Sequence, residues 1–154
     1  MDLNIKFAKK IVVAVALSTD TERTLKLLRG MDFLAHTELH FVHVFNSITY
    51  ASGIMGYPLV FPIKEDRELI EQSVLATLSK ISQSVLPINF DGKVIQRCLF
   101  GESPKDKFCS YVDEVKADLV IVSTRMKRGM FESSFAQFVN NHTHASVMFL
   151  KDHN

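Results

Sequence analysis

Five short apolar runs, each separated from the next by a longer stretch and mostly by one with helical periodicity, constrain this chain more than any other feature. The first, Lys10 to Leu17 (KIVVAVAL), is apolar almost without interruption, the pattern of a strand covered on both faces by helices. Leu39 to Phe45 (LHFVHVF), Lys93 to Phe100 (KVIQRCLF), Leu119 to Ser123 (LVIVS) and Val147 to Leu150 (VMFL) supply four more strands. After the first, Ser18, Thr19 and Asp20 offer N-caps and Thr19 with Glu22 fits a capping box. Leu25, Leu28, Met31 and Ala35 then recur at helical spacing, which predicts a helix to about Ala35. A long helix is expected from near Lys64, with Ile70, Val74, Thr77, Leu78, Ile81 and Val85 on its apolar face and Pro87 ending it. Gly101 to Pro104 turn the chain into a third helix marked by Phe108, Tyr111, Val112 and Val115, while Phe135, Phe138 and Val139 suggest a short fourth. Strands alternating with helices in this order predict an α/β fold: a doubly wound open parallel five-stranded sheet with helices on both faces and right-handed crossovers.

At 154 residues and 47% hydrophobic content, the chain suits one domain spanning 1–154 with a sizeable core. Its 18 Lys plus Arg nearly cancel 17 Asp plus Glu, so no global field recruits nucleic acid or an acidic membrane surface. Cys98 and Cys109 fit no metal or redox motif and read as core thiols. Met1 to Lys10 lacks the apolar core of a signal peptide, and no apolar stretch reaches the ~20 residues that span a bilayer. Together these features point to the cytoplasm.

A doubly wound sheet binds ligands outside the carboxyl ends of its strands, where strand order reverses. The segments that matter are therefore Ala16 to Thr19, Val44 to Asn46 and Ser123 to Ser134, which follow the first, second and fourth strands. The chain from Lys10 to Lys151 resembles the universal stress protein family. KKIVVAVALST stands at its opening strand and turn, LHFVHVF at its second strand, FGESPKDKFCSYVDEVKADLVIVSTR at the third strand's end through the fourth, and ASVMFLK at the last. The resemblance implies strand order 3-2-1-4-5 and a homodimer formed by pairing the last strands, here Ser146 to Lys151. An edge covered by the C-terminal tail is the alternative to that dimer.

ATP-binding members of the family carry an Asp near the end of strand one and a loop after strand four of the form G-x-x-G-x9-G-[ST]. In this sequence the Asp position resembles Ala16, whose methyl group accepts no hydrogen bond. The leading glycines fall at Ser123 and Met126, the closing pair aligns with Ser133 and Ser134, and Lys127 to Glu132 makes a spacer shorter than the motif's. Glycine lets a backbone approach phosphate closely, so Met126 works against that contact. Some anion-binding chemistry survives in Arg125, Lys127 and Arg128, with a flexible point at Gly129 and the serines at the start of the last helix. The plain alternative is a solvated basic turn with a serine cap. The candidate ligand-binding residues are thus Ala16, Ser18, Val44, Ser123, Arg125, Met126, Gly129, Ser133 and Ser134.

His40 and His43 are an odd number of positions apart on one strand, point to opposite faces and read as structural. His142 and His144 lack a neighbouring Cys, Asp or Glu to complete a metal shell, and Ser103 reads as a helix cap ahead of Pro104. No G-x-S-x-G elbow, Walker loop or dinucleotide fingerprint is present. The segment Ile48 to Ile63 is unusually apolar for a loop and reads as a lid, a partner surface or simple packing on the sheet edge. The expectation is a non-enzymatic stress-response regulator acting by dimerisation and an unknown protein partner, with no cofactor, no metal, no nucleic acid and no membrane. Two alternatives stay open: an adenine-nucleotide switch holding ATP, with Mg²⁺ and slow hydrolysis, and a binder of an apolar small molecule beneath the 48–63 loop.

Overall fold

The computed structural model describes residues 3–50, 59–124 and 132–151. The chain opens with β1 (Leu3–Asn4), and the first apolar run follows as β2 (Lys10–Ala14). Next come α1 (Thr19–Leu25), a short 3-10 helix (Lys26–Gly30), β3 (Met31–Asp32) and β4 (Glu38–Asn46). A hairpin of β5 (Ile48–Tyr50) and β6 (Leu59–Phe61) precedes the long α2 (Lys64–Val85). The second half runs through β7 (Lys93–Gly101), α3 (Pro104–Val115), β8 (Leu119–Thr124), α4 (Glu132–His142) and β9 (Ser146–Lys151).

Five of these strands form one parallel sheet in the order β7-β4-β2-β8-β9. Counted among themselves, the strands lie 3-2-1-4-5, as expected. Alternation along β2 sends Ile11 and Val13 to one face and Val12 to the other, and all three are fully buried. On the first face they meet Leu39 and Phe41 of β4, Leu25 of α1 and the Val74, Leu78, Ile81 and Val85 stripe of α2. On the second, Val12, Val42, Val120 and Val122 pack against Phe108 and Val112 of α3 and Ala136 and Val139 of α4. Burying a Leu or Phe in such a layer stabilises by about 1.5–3 kcal/mol, and two filled faces explain why β2 from Ile11 to Ala14 and β8 from Leu119 to Val122 carry no polar side chain. Asp118 sets the register at the sheet's amino end, its Oδ2 accepting from the N–H of Lys9 at 2.9 Å and of Lys10 at 3.0 Å.

Three local expectations are corrected. The first helix does not reach Ala35: it tightens to 3-10 geometry and stops at Gly30, because Met31–Asp32 pairs in parallel with Leu3–Asn4. Gly lowers helix propensity, and the tertiary strand pair captures the next residues. The capping residue is Ser18, whose Oγ accepts from Thr21 N–H at 3.3 Å, while the Glu22 carboxylate accepts instead from Ser84 Oγ of α2 at 3.0 Å. Ile48 to Ile63 is not loop throughout, since its ends pair as an antiparallel ladder, Ile48 opposite Phe61 and Thr49 opposite Val60. That ladder satisfies backbone groups an apolar loop would strand. It leaves the sheet where Ser47 N–H extends the β4–β7 ladder to the Gly101 carbonyl, and Arg67 of α2 fixes its base by donating from Nε to Pro62 O at 3.0 Å.

Candidate functional site

β2 and β8 are neighbours in the sheet, yet the chain leaves β2 toward one face and reaches β8 along the other, so the strand order reverses between them. A cavity of about 220 Å³ opens at the carboxyl ends beside this point. Its floor is strand: Ala14, Val15 and Ala16 at the end of β2, Val42, His43 and Val44 from β4, and Val122 and Ser123 from β8. Its wall is helix, with Pro104 and Phe108 from α3 and Phe135 from α4. The rings of Phe108 and Phe135 meet with centroids 5.4 Å apart, which ties the two helices together along the cavity wall.

Of the residues singled out from sequence, Ala16, Val44 and Ser123 line this cavity. Ala16 contributes a methyl group, and its carbonyl accepts from Ser18 N–H at 2.9 Å. Ser18 is not among the lining residues because its Oγ is engaged at the start of α1, with Thr21 N and Thr21 Oγ1. Arg125, Met126 and Gly129 lie outside the described residues, as does the remodelled loop they belong to. Ser133 and Ser134 fall in the first turn of α4. The sequence reading missed Pro104, Phe108 and Phe135, which read as ordinary core positions on helical stripes. Only their place in the first turns of α3 and α4, just past the carboxyl ends of β7 and β8, could have marked them.

His43 was expected to be structural, and its Nδ1 does donate to the Val15 carbonyl at 2.8 Å. The same side chain also lines the cavity. Val44 contributes more than its side chain. The β2–β4 ladder ends at Ala14 opposite Val42, while β4 runs on to Asn46. Beyond Val42, the edge of β4 that faced β2 borders the cavity instead.

The described arms of the β5–β6 hairpin contribute nothing to the lining, and residues 51–58 between them lie outside the described residues. Ser103 occupies the cap position of α3 with no side-chain cap bond, and its backbone carbonyl accepts from Lys107 N–H at 3.0 Å, so Pro104 rather than the hydroxyl starts that helix.

His40 is 3% exposed and sits on the α3 side of the sheet. Its Nε2–H donates to Glu38 Oε1 and its Nδ1 accepts from Tyr111 Oη, each at 2.6 Å. Burial pushes the imidazole below its ordinary value, with the Glu38 carboxylate opposing. The hydrogen bond from His40 holds Glu38 low in turn, and burial holds Tyr111 high. Cys98 and Cys109 are buried on opposite faces, each pushed up to about 11 by burial, so both stay protonated thiols rather than nucleophilic thiolates. His142 stacks on Phe138 and bonds its carbonyl through Nδ1 at 2.8 Å. Among the described residues no cluster of three or more His, Cys, Asp or Glu could hold a metal ion, and no helix is long and apolar enough to cross a membrane.

The model of the universal stress protein family matches residues 8–151. This chain belongs to that family. The universal stress protein fold is shared at low identity. A universal stress protein from Archaeoglobus fulgidus is 22% identical with TM-score 0.56, covering 92% of this chain and 93% of that one. A member from Burkholderia pseudomallei is 17% identical with TM-score 0.57, covering 92% and 95%. A universal stress protein solved in complex with cAMP is 14% identical with TM-score 0.61, covering 94% and 97%. No curated protein matches the sequence significantly.

Proposed function

We propose that this stress-response protein is a cytoplasmic, non-catalytic regulator that works as a homodimer and through a protein partner, without ATP recognition of the conventional kind. Ala16 carries the reading. It sets a methyl group, where ATP-binding relatives are expected to carry a carboxylate, at the lip of a mostly apolar cavity. The cavity's 220 Å³ is also below the roughly 300–1,000 Å³ of ordinary small-molecule sites. β9 supports the dimer: it is an outer strand of the sheet, and Phe149 on it is 45% exposed. A second β9 related by a two-fold axis would pair its open backbone edge and cover that ring.

The test is isothermal titration of ATP with Mg²⁺ into the purified protein, alongside its mass by multi-angle light scattering. The expected result is a dimer with no saturable ATP heat; micromolar ATP binding or a monomeric mass at tens of micromolar protein overturns the corresponding half. A second reading, an adenine-nucleotide switch, is favoured by one observation: the backbone edge of Val44 borders the cavity where a flat base could pair with it. The relative solved with cAMP and the cations Arg125, Lys127 and Arg128 agree with that alternative. Saturable ATP heat would make it the leading one.

A further inference from the structure

Arg97, Tyr111, His40 and Glu38 form a chain that crosses from β7 through α3 to β4, and each of its links runs one way. Arg97 faces the Tyr111 hydroxyl, and a guanidinium only donates. The hydroxyl gives its own hydrogen to His40 Nδ1, and His40 Nε2–H donates to Glu38 Oε1, both at 2.6 Å. A carboxylate only accepts, so the chain has a donor at one end, an acceptor at the other and a neutral imidazole between them. A proton added to Nδ1 sets two donors face to face. The hydroxyl must then turn its hydrogen away, where Arg97 offers no acceptor, and two cations converge on one buried oxygen. That conflict falls on Tyr111, the α3 member of the chain. Phe108, one turn earlier on the same buried face of α3, lines the cavity. Toward the other end of α3, Lys10 Nζ donates to the Val115 carbonyl at 3.3 Å, a tie that this proton leaves intact.

We infer that this chain is a pH-sensitive latch: a proton taken up at His40 Nδ1 releases Tyr111 and lets the amino-terminal half of α3, with Phe108 of the cavity wall, shift from the sheet. The surrounding charges set the pH of release. Glu38 of β4 favours the imidazolium, Lys10 of β2 and Arg97 of β7 oppose it, and burial outweighs the carboxylate. Lys93 of β7 acts on Glu38, and Glu114 of α3 acts on Tyr111. The imidazole is thus held below its ordinary value of about 6.5, so the latch is shut at pH 8 and opens as pH falls through that lower value. It needs no ligand in the cavity.

A pH titration of the ¹⁵N-labelled full chain by NMR, from pH 8 to pH 5, tests this. The imidazole nitrogens of His40 report its protonation, and the backbone amides report α3. In the wild type, the Phe108 and Tyr111 amides should move with the His40 midpoint, below pH 6.5, while Leu78 of α2, buried on the far face of the sheet, stays in place. In His40→Gln the α3 amides should not titrate over this range. In Tyr111→Phe the His40 midpoint should rise by roughly half a pH unit or more, because the lost hydroxyl favoured the neutral ring, and the α3 amides should no longer follow it. Wild-type α3 amides that ignore the His40 midpoint, or that keep following it in Tyr111→Phe, overturn the inference. So does loss of all amide signals together before His40 titrates, since the cluster would then act on the whole fold rather than on α3.

Discussion

Replacing Tyr111 by Phe is the sharpest probe of how the sheet holds the helix that walls the cavity. The hydroxyl is the partner of His40 Nδ1 at 2.6 Å, and both side chains are buried, at 9% and 3% exposure. Tyr111→Phe keeps the ring and its contact with the imidazole, whose centroid lies 5.7 Å away, and removes the hydroxyl that donates to His40 and also meets Arg97. A buried acceptor left unmet costs about 1–3 kcal/mol, more than the 0.5–1.5 kcal/mol of an average exchanged hydrogen bond. With a urea m-value of about 1–3 kcal/mol/M for a small domain, the unfolding midpoint should fall by about 1 M at pH 8 with m unchanged. The stronger test is the cycle with His40→Leu. Once the imidazole is gone, deleting the hydroxyl should cost less, giving a coupling of at least about 0.5 kcal/mol. A midpoint that does not move, or strictly additive losses in the cycle, would refute the assignment of this pair as a buried hydrogen bond linking β4 to α3.

Stability should also depend on pH through the same cluster. His40 is depressed in the folded state, so the unfolded chain binds more protons as pH falls below its ordinary value of about 6.5. The contribution is therefore complete above about pH 6.5 and is lost as pH falls through the folded value, with the Glu38 contribution, also a depressed group, following below about pH 4.5. Urea midpoints between pH 8 and pH 5 check this, and a stability that rises on acidification over that range contradicts it. Lys10 of β2, Arg97 of β7 and Glu114 of α3 act on the same cluster and belong in the controls. Gly92→Ala should destabilise by about 1–3 kcal/mol, because the new methyl group would fall inside contact distance of the Thr37 carbonyl and within 2.5 Å of the Phe90 ring. A thermal melt within error of the wild type would show that this turn relaxes freely.

The large elements were legible because their residues have a single use. KIVVA and LVIV are too apolar for any place but a strand with two covered faces, VMFL marks the outer strand, and the Val74, Leu78, Ile81 and Val85 spacing admits one buried helical stripe. Boundaries were less legible where a distant partner decided them. Nothing local in Met31–Asp32 announces a strand; it forms because Leu3–Asn4 lies alongside. Likewise Ile48–Tyr50 and Leu59–Phe61 read as parts of one apolar loop until each is given the other as its ladder.

The site divided in the same way. The sequence by itself determined the family, the fold and the methyl group at residue 16, because these follow from residue type, order and spacing along the chain. Only the tertiary structure decided that Phe108 and Phe135 meet along the cavity wall, that His40 finds Tyr111 seventy-one residues away, and that His43 bonds the Val15 carbonyl. The physical reason is that strand register and helix packing join residues with no local signal for each other. A backbone edge such as that of Val44 opens where a neighbouring strand stops, a property of two strands together that neither sequence carries alone.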